Sequence, residues 1–393
     1  MQSFEYHSPT EIIFGREAEA KTPGKIKKYG GTRVFVVYGG GSVVRSGLLA
    51  KIETMLTEAG LQHMSLGGVH PNPYVDFARE AVKKAIGFGA DFVLAIGGGS
   101  VIDTGKAVAH GVANPEVDIW DFWTGKAKLE KSLPLASVLT IAAAGSETSD
   151  SAVLTDEALG RKSGLNTQFN RPRFAVMNPE LTYTLPQKQI ACGVADILMH
   201  TIDRYFSKVD GNEFTDILAE GLLKNVMRNG RTALEKTHDY HAMSEIMWCG
   251  SISHNDLTGL GRPKDFATHK LGHELSGKFD VPHGASLTAV WASWARYVYK
   301  ENPQRFAHFA VSLWGIQPID MEKAALAGIA AMERYFQAIG MPTNFTELGI
   351  GIQDEAGLAY LADMCTDHGN KTVANFKQLT RQDVYEIYKM ANC

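Results

Sequence analysis

Cysteine is scarce and scattered. The chain has four, Cys192, Cys249, Cys365 and Cys393, with no C-x-x-C spacing, which argues against a disulfide framework and suits a reduced, cytoplasmic protein. Long apolar runs are missing too. The longest apolar-looking stretch, Ala285 to Val298, is interrupted by Ser286, Ser293 and Arg296 and falls short of the roughly 20 residues that span a bilayer. The opening MQSFEYHSPTEIIFG lacks a basic region followed by an apolar run, so no signal peptide is expected. Neither sign of charge forms a block, and a formal net charge of −4 is too small to argue for nucleic acid or an anionic membrane as a partner. Low-complexity tracts and repeats of solenoid period are also absent.

Glycine, by contrast, is plentiful: 39 in 393 residues, above the usual ~7%, and several of them cluster at the ends of apolar runs. RVFVVYGGG (33–41) reads as a buried strand entering a glycine turn, and GLLAKIETMLTEAG (47–60) as a helix that stops at Gly60. VDFAREAVKKAIGFGA (75–90) is a second amphipathic helix, DFVLAIGGGS (91–100) a second strand and glycine turn, and VIDTGKAVAHGV opens the next helix. Further strands are expected at LPLASVLT (133–140) and RFAVMNP (173–179). Strands alternating with helices imply a parallel sheet with helices on both faces. After YTLPQKQ the pattern becomes long and amphipathic, with few convincing strands. The chain is long enough for two cores. The expected organisation is an α/β domain over 1–186 and an all-helical domain over 187–393.

Each GGGS follows a strand and precedes a helix, where backbone N–H groups and a helix dipole hold phosphate and a side chain would block its approach. The spacing is not G-x-G-x-x-G, so the usual dinucleotide fingerprint is absent, and a single GGGS is as readily a plain tight turn. Two copies in equivalent positions, together with the small and hydroxylated TIAAAGSETSD after the strand near Leu139, point to one crevice along the carboxyl edge of the sheet. A nucleotide is its natural occupant. NAD sites usually place a carboxylate after the first strand to bond the ribose 2'-hydroxyl. Here that turn is Gly39, Gly40, Gly41, Ser42, with no acid and with Arg45 close by, which favours NADP over NAD.

The second half holds a histidine cluster, THKLGHELSGKFDVPHG (268–284). His269 and His273 are four apart and share a helix face, and Gly277 and Pro282 are expected to end that helix before His283. Upstream, Asp196 and His200 in VADILMHTIDRYF are also four apart on a helical pattern. Taken alone, such an i, i+4 pair is more often a surface contact than a ligand pair. One carboxylate with imidazoles from three elements suffices for a divalent metal, with one histidine left over for proton transfer. Spacing does not choose which.

With these motifs in view, the chain resembles the iron-containing (group III) alcohol dehydrogenase family, and within it the NADPH-dependent butanol dehydrogenase and aldehyde reductase branch. The resemblance is carried by PNP (71–73), DFVLAIGGGSVIDTGKA (91–107), T-x-x-x-x-G-S-E-T (140–148), NPELTYTLP (178–186), G-V-x-D-x-x-x-H (193–200) and H-x-x-x-H followed by PHG (269–284). It implies a dehydroquinate synthase-like architecture: a Rossmann-like α/β domain, an all-α second domain and a metal between them. By position it implies Asp196, His200, His269 and His283 as metal ligands and His273 as the catalytic, non-ligand histidine. It also implies Gly40 and Ser42 at the 2'-phosphate, Gly97, Gly98 and Ser100 at the pyrophosphate, Thr140 and Lys162 as further cofactor contacts, and Asp103 near the nicotinamide.

The implied activity is an NADP(H)-dependent alcohol dehydrogenase or aldehyde reductase acting on a short-chain primary alcohol or aldehyde such as butanol or butanal, in a homodimer. The family name favours Fe2+, while three nitrogens and a carboxylate also suit Zn2+, Ni2+ or Co2+. Apolar Phe266, Leu271 and Trp248 are candidates for the pocket wall, or for ordinary core. The rival readings are a glycerol-type polyol dehydrogenase, a dehydroquinate synthase, a metallohydrolase with merely structural glycine turns, and a nucleotide sensor without turnover.

Overall fold

Alternate residues of the four most buried strands point the same way and find the same helices. The strands, in chain order, are β1 (Glu11–Phe14), β2 (Arg33–Gly39), β3 (Gln62–Val69), β4 (Phe92–Gly97), β5 (Leu135–Leu139), β6 (Ser151–Asp156), β7 (Arg161–Asn166) and β8 (Phe174–Met177). Six of them form one sheet in the order β1-β8-β5-β4-β2-β3, and every pairing in it is parallel. On one face Val34, Val36, Leu94, Ile96, Val138 and Val176 pack with Ile26 of α1 (Thr22–Lys28) and with Ile52 and Leu56 beyond it. The chain reaches those last two through the one-turn α2 (Ser42–Arg45) and then α3 (Leu48–Glu58).

The opposite face takes α4 (Val75–Phe88) and α5 (Gly99–Ala113), and α6 (Ile119–Trp123) closes a second core with Ala152 and Leu154 of β6. Gly105 allows α5 to lie against β4, since a Cβ there would sit 3.1 Å from that of Ala95. Burying each Val, Leu or Ile of these layers contributes about 1.5–3 kcal/mol. A sheet covered on both faces accounts for the nearly unbroken apolar runs of β2, β4, β5 and β8.

The computed structural model describes residues 1–317 and 320–393. They divide into two compact units, one comprising His7–Leu185 with Thr237–Asn255, the other Met1–Tyr6, Pro186–Lys236 and Asp256–Cys393. The second contains α7 (Gln187–Tyr205) and α8 (Glu213–Glu235); α9 (Tyr240–His254) belongs to the first. The rest of the helical unit is α10 (Ala267–Phe279), α11 (His283–Val298), α12 (Pro303–Trp314), α13 (Met321–Ala338), α14 (Phe345–Leu348), α15 (Glu355–Cys365) and α16 (Arg381–Ala391). Helix α11 is buried on almost every side from Gly284 to Ala295, as expected of a helix that is apolar all round. None of the helices is long and apolar enough to cross a membrane, among the described residues.

Two features differ from the division expected at residue 186. Helix α9 packs with the α/β unit, because Thr148 Oγ1 donates to the Ser251 carbonyl at 3.0 Å and the buried Glu147 accepts from the Ser251 hydroxyl. Gly145 permits this approach, since a Cβ there would lie 2.5 Å from the Gly250 carbonyl. Conversely, Met1–Tyr6 goes with the helical unit, where the Gln2 amide donates to the Gly261 carbonyl. Helix α10 also runs past Gly277 and ends at Phe279, where Asp280 takes the left-handed conformation (φ 50°).

His110 of α5 gives this fold a defined pH response. Its ring is fully buried, with Nδ1 2.8 Å from Ser132 Oγ and Nε2 2.8 Å from Asn170 Oδ1. Burial pushes the imidazole down to about 4, whereas an unfolded histidine titrates near 6.5. Between those values the unfolded chain binds the proton and the fold does not. The stabilisation is therefore complete above about pH 6.5 and is lost as pH falls toward about 4, by about 3 kcal/mol in all. Urea unfolding of His110→Gln is expected to show a shallower loss of stability over that interval than the parent chain. Equal slopes would remove His110 as the source.

Candidate active site

Helix α7 places Asp196 and His200 one turn apart, and the next turn of the same stripe carries Asp203 and Arg204. Asp196, His200 and His269 are all buried, and one donor atom from each lies within 4.8 Å of the others. The Nε2 atoms of three histidines surround a single oxygen, Asp196 Oδ1: His200 at 3.5 Å, His269 at 3.9 Å and His283 at 3.8 Å. These separations are too long for hydrogen bonds. They approach the spacing of about 3.4 Å between donors that each stand ~2.1 Å from one tetrahedral ion.

His269 Nε2 is buried and makes no hydrogen bond, while its Nδ1 lies 2.6 Å from Asp203 Oδ2. A buried bare nitrogen beside a carboxylate oxygen is an unfavourable arrangement unless a cation is shared between them. Three borderline imidazole nitrogens and one hard carboxylate oxygen suit a divalent transition metal. The residues present fit such an ion.

Close backbone approach brings the three elements together. A Cβ on Gly284 would meet the Cys192 carbonyl oxygen at 2.2 Å, so α11 touches α7 where only glycine fits, and a Cβ on Gly272 would crowd Leu287 at 2.7 Å between α10 and α11. Helix α11 begins at His283 behind Pro282. His273 is half-buried, with its ring centroid 5.2 Å from that of His283 and 6.4 Å from that of His269. It is thus beside the cluster.

Among the apolar candidates, Phe266 touches the cluster. Its ring meets those of His269 and His200 edge-on, at 5.3 and 6.4 Å, and the Arg204 guanidinium lies 4.7 Å from its centre. Phe266 has φ 55°, a left-handed conformation that a bulky side chain rarely adopts. Leu271 is fully buried core, and Trp248 stands 44% exposed on α9 of the other unit. Cys192 sits beside Gly284, but burial pushes its thiol up to about 11, so it is no nucleophile near neutrality.

In the α/β unit, the ends of β5, β4 and β2 are neighbours: Tyr38 pairs with Ile96 and Gly97 with Leu139. This aligns Gly40 and Ser42, then Gly97, Gly98 and Ser100, then Thr140, whose amide donates to the Gly97 carbonyl at 3.1 Å. The two glycine turns are not equivalent. The second leads straight into the 15-residue α5, whereas the first enters only the four-residue α2 through Gly41, which has φ 109°. A Cβ on Gly97 would meet Val101 at 2.5 Å, and one on Gly98 would meet Ile141 at 2.8 Å. The Arg45 guanidinium folds back over the first turn, 3.3 Å from where a Gly41 Cβ would be.

Lys162, on β7, donates from Nζ to Asn72 Oδ1 at 2.9 Å. Asp103 is tied into the protein: its oxygens accept from Ser146 Oγ at 2.6 Å and from the Val153 amide at 2.9 Å. Burial raises its carboxyl above the usual range, opposed by Lys106. Lys106 is itself fully buried, bonded to Ser146 Oγ and the Ser151 carbonyl, and burial lowers its ammonium to about 8.

Sequence reasoning passed over Lys106 and Asp203. The signal for Asp203 was present, since it follows Asp196 by seven positions and His200 by three on one helical stripe.

Residues 9–179 match the family described as iron-containing alcohol dehydrogenase, and residues 189–392 match the C-terminal region of the Fe-containing alcohol dehydrogenase family. The chain is 36% identical over 391 residues to NADH-dependent butanol dehydrogenase A of Clostridium acetobutylicum, covering 99% of each. It is 32% identical over 393 residues to the NADPH-dependent aldehyde reductase YqhD of Escherichia coli, covering 100% of each. Its fold is similar to the crystal structure of NADH-dependent butanol dehydrogenase A from Thermotoga maritima, with a TM-score of 0.95 at 33% identity over 100% of this chain and 99% of that one. The parallel sheet, the helical second unit and these matches along nearly the whole length agree, and the chain belongs to the iron-containing alcohol dehydrogenase family of oxidoreductases.

Proposed function

We propose that the protein is a metal-dependent NADP(H) alcohol dehydrogenase or aldehyde reductase acting on short-chain primary alcohols and aldehydes. The observation that carries this reading is the convergence of three imidazole Nε2 atoms on Asp196 Oδ1 at 3.5–3.9 Å. Asp196, His200, His269 and His283 would hold a divalent ion, with Fe2+ favoured by the family. Bound there, the ion supplies a Lewis acid that polarises the substrate oxygen. A nicotinamide cofactor held by the α/β unit would supply or accept the hydride. His273, beside but outside the donor group, is placed to hand a proton to the nascent alcohol oxygen or to take it back. Phe266 gives the cluster an apolar wall that excludes water and suits an alkyl chain.

On the α/β unit, the amides at Gly97 and Gly98, the Ser100 hydroxyl and the start of α5 form a cradle for the pyrophosphate. Thr140 adjoins it through its amide bond to the Gly97 carbonyl, Lys162 would be a further cofactor contact, and Asp103 ties Ser146 and Val153 to α5. The relatives named above divide between NADH and NADPH, so the preference for NADPH rests on the first turn: Gly40, Ser42 and Arg45, with no acid among them. Membership of a dehydrogenase family argues against the metallohydrolase reading.

The test is aldehyde-dependent loss of NADPH absorbance with butanal, measured with the metal-loaded and the chelated protein and repeated with NADH. Turnover that survives complete chelation, or hydrolysis without nicotinamide, would defeat the proposal. Cofactor choice has its own test in Gly39→Asp. Gly39 has ordinary backbone angles, and a Cβ there meets Val101 at 3.5 Å, an ordinary contact, so the substitution fits. A carboxylate placed against the 2'-phosphate is expected to raise the KM for NADPH about tenfold or more while changing that for NADH far less. An unchanged ratio would remove the argument from this turn.

A further inference from the structure

We propose that Asp203 is a positioning residue that holds His269 in the tautomer protonated at Nδ1, so that its Nε2 lone pair faces Asp196. The inference deepens the metal reading above and rests on it. Asp203 is fully buried, and a single oxygen, Oδ2, serves His269 twice: it accepts from the backbone N–H at 3.1 Å and lies 2.6 Å from Nδ1. Oδ2 already accepts from the main-chain N–H and faces Nδ1 as an acceptor as well, which assigns the proton between them to Nδ1. The opposite tautomer would set two lone pairs face to face at 2.6 Å.

With Nδ1 carrying the proton, Nε2 is bare, and this nitrogen is the one that lies 3.9 Å from Asp196 Oδ1 without a hydrogen-bond partner. The double grip also fixes ring rotation, because main chain and side chain of the same residue are tied to one atom. Asp203 is anchored in turn, its carbonyl accepting the Asp265 amide at 2.9 Å, just ahead of α10. Helix α7 therefore supplies a carboxylate and an imidazole to the centre, and it also orients an imidazole that α10 supplies. A carboxylate behind a ligating imidazole raises its basicity as well as aiming it.

A plain structural role offers itself beside this one. Phe266 at the N-cap of α10 provides no side-chain cap, and Asp203 would simply satisfy an orphan N–H. Asp203→Asn separates the two, since its amide oxygen still caps His269 N–H while the charge behind the ring is gone. The experiment measures zinc affinity by chelator competition for the metal-freed parent chain, Asp203→Asn and Asp203→Ala. It also reads the tautomer of His269 in the metal-free parent from 15N shifts of histidine-labelled protein, assigned by loss of the signal in His269→Gln.

The expected results are a bare Nε2 in the parent and zinc binding about 10–100-fold weaker in both variants. Zinc binding by Asp203→Asn within about twofold of the parent, or a His269 protonated at Nε2, overturns the proposal. The tautomer is read in the parent chain, so it decides the role of Asp203 even where a variant fails to fold. A parent chain that binds no divalent ion overturns the metal reading instead, and the two failures are distinct.

Discussion

His269→Ala is expected to leave the protein unable to retain its metal through dialysis, with a fall in aldehyde reduction of at least about a thousandfold, equivalent to ~4 kcal/mol of transition-state stabilisation. The proposed site has one carboxylate and three imidazoles, and His269 is buried and gripped by Asp203 through two bonds. Truncation removes a donor to the ion and also strips the buried Asp203 of its ring partner, which costs ~1–3 kcal/mol in its own right. The fold itself has other supports, since Gly272 and Gly284 keep α10, α11 and α7 in contact independently of the ring. The measurements are metal content by elemental analysis and NADPH oxidation with butanal, before and after adding back Fe2+ or Zn2+. A variant that keeps one ion per chain and its rate would show that the ligand set has been misread.

His273→Ala is expected to behave in the opposite way, keeping the metal and losing about 10²–10⁴-fold in kcat, the range for removal of a general acid–base. The reason is positional. The ring of His273 is 5.2 Å from that of His283 and 6.4 Å from that of His269, whereas it is the other three histidines whose nitrogens reach Asp196 Oδ1. Added imidazole is expected to restore part of the rate in this variant and none in His269→Ala. Equal metal loss in the two variants would mean that His273 also helps to hold the ion and that the two roles have been wrongly assigned.

Much of the α/β unit was legible because its residues obey local rules. The runs at β2, β4, β5 and β8 are buried on both faces, so their apolar character is almost continuous, and glycine ends two of them where helices begin. What escaped detection was amphipathic, short or exposed. Strand β3 (QHMSLGGV) is an edge strand with polar residues and two glycines, and β1 has only four residues. The antiparallel pair β6–β7 carries the half-exposed RKSGLN, whose period is masked by polar side chains. Helix α9 falls in the half expected to be all-helical, yet its attachment to the α/β unit depends on Gly145 and on the Glu147–Ser251 bond, contacts across more than a hundred residues of chain.

Of the candidate site, the sequence by itself determined the chemistry on offer: a carboxylate and an imidazole on one face of α7, two imidazoles on one face of α10, a third at the start of α11, and glycine turns after two parallel strands. Helical and extended periods are set by nearest neighbours, so they survive as patterns in the chain. The tertiary structure alone decided that three imidazoles bring their Nε2 atoms to Asp196 Oδ1, that Asp203 stands behind His269, and that Asp103 is anchored by Ser146 and Val153. Those outcomes depend on where backbones can touch and which lone pairs are buried together. Such distances arise only when segments far apart in the chain share a core.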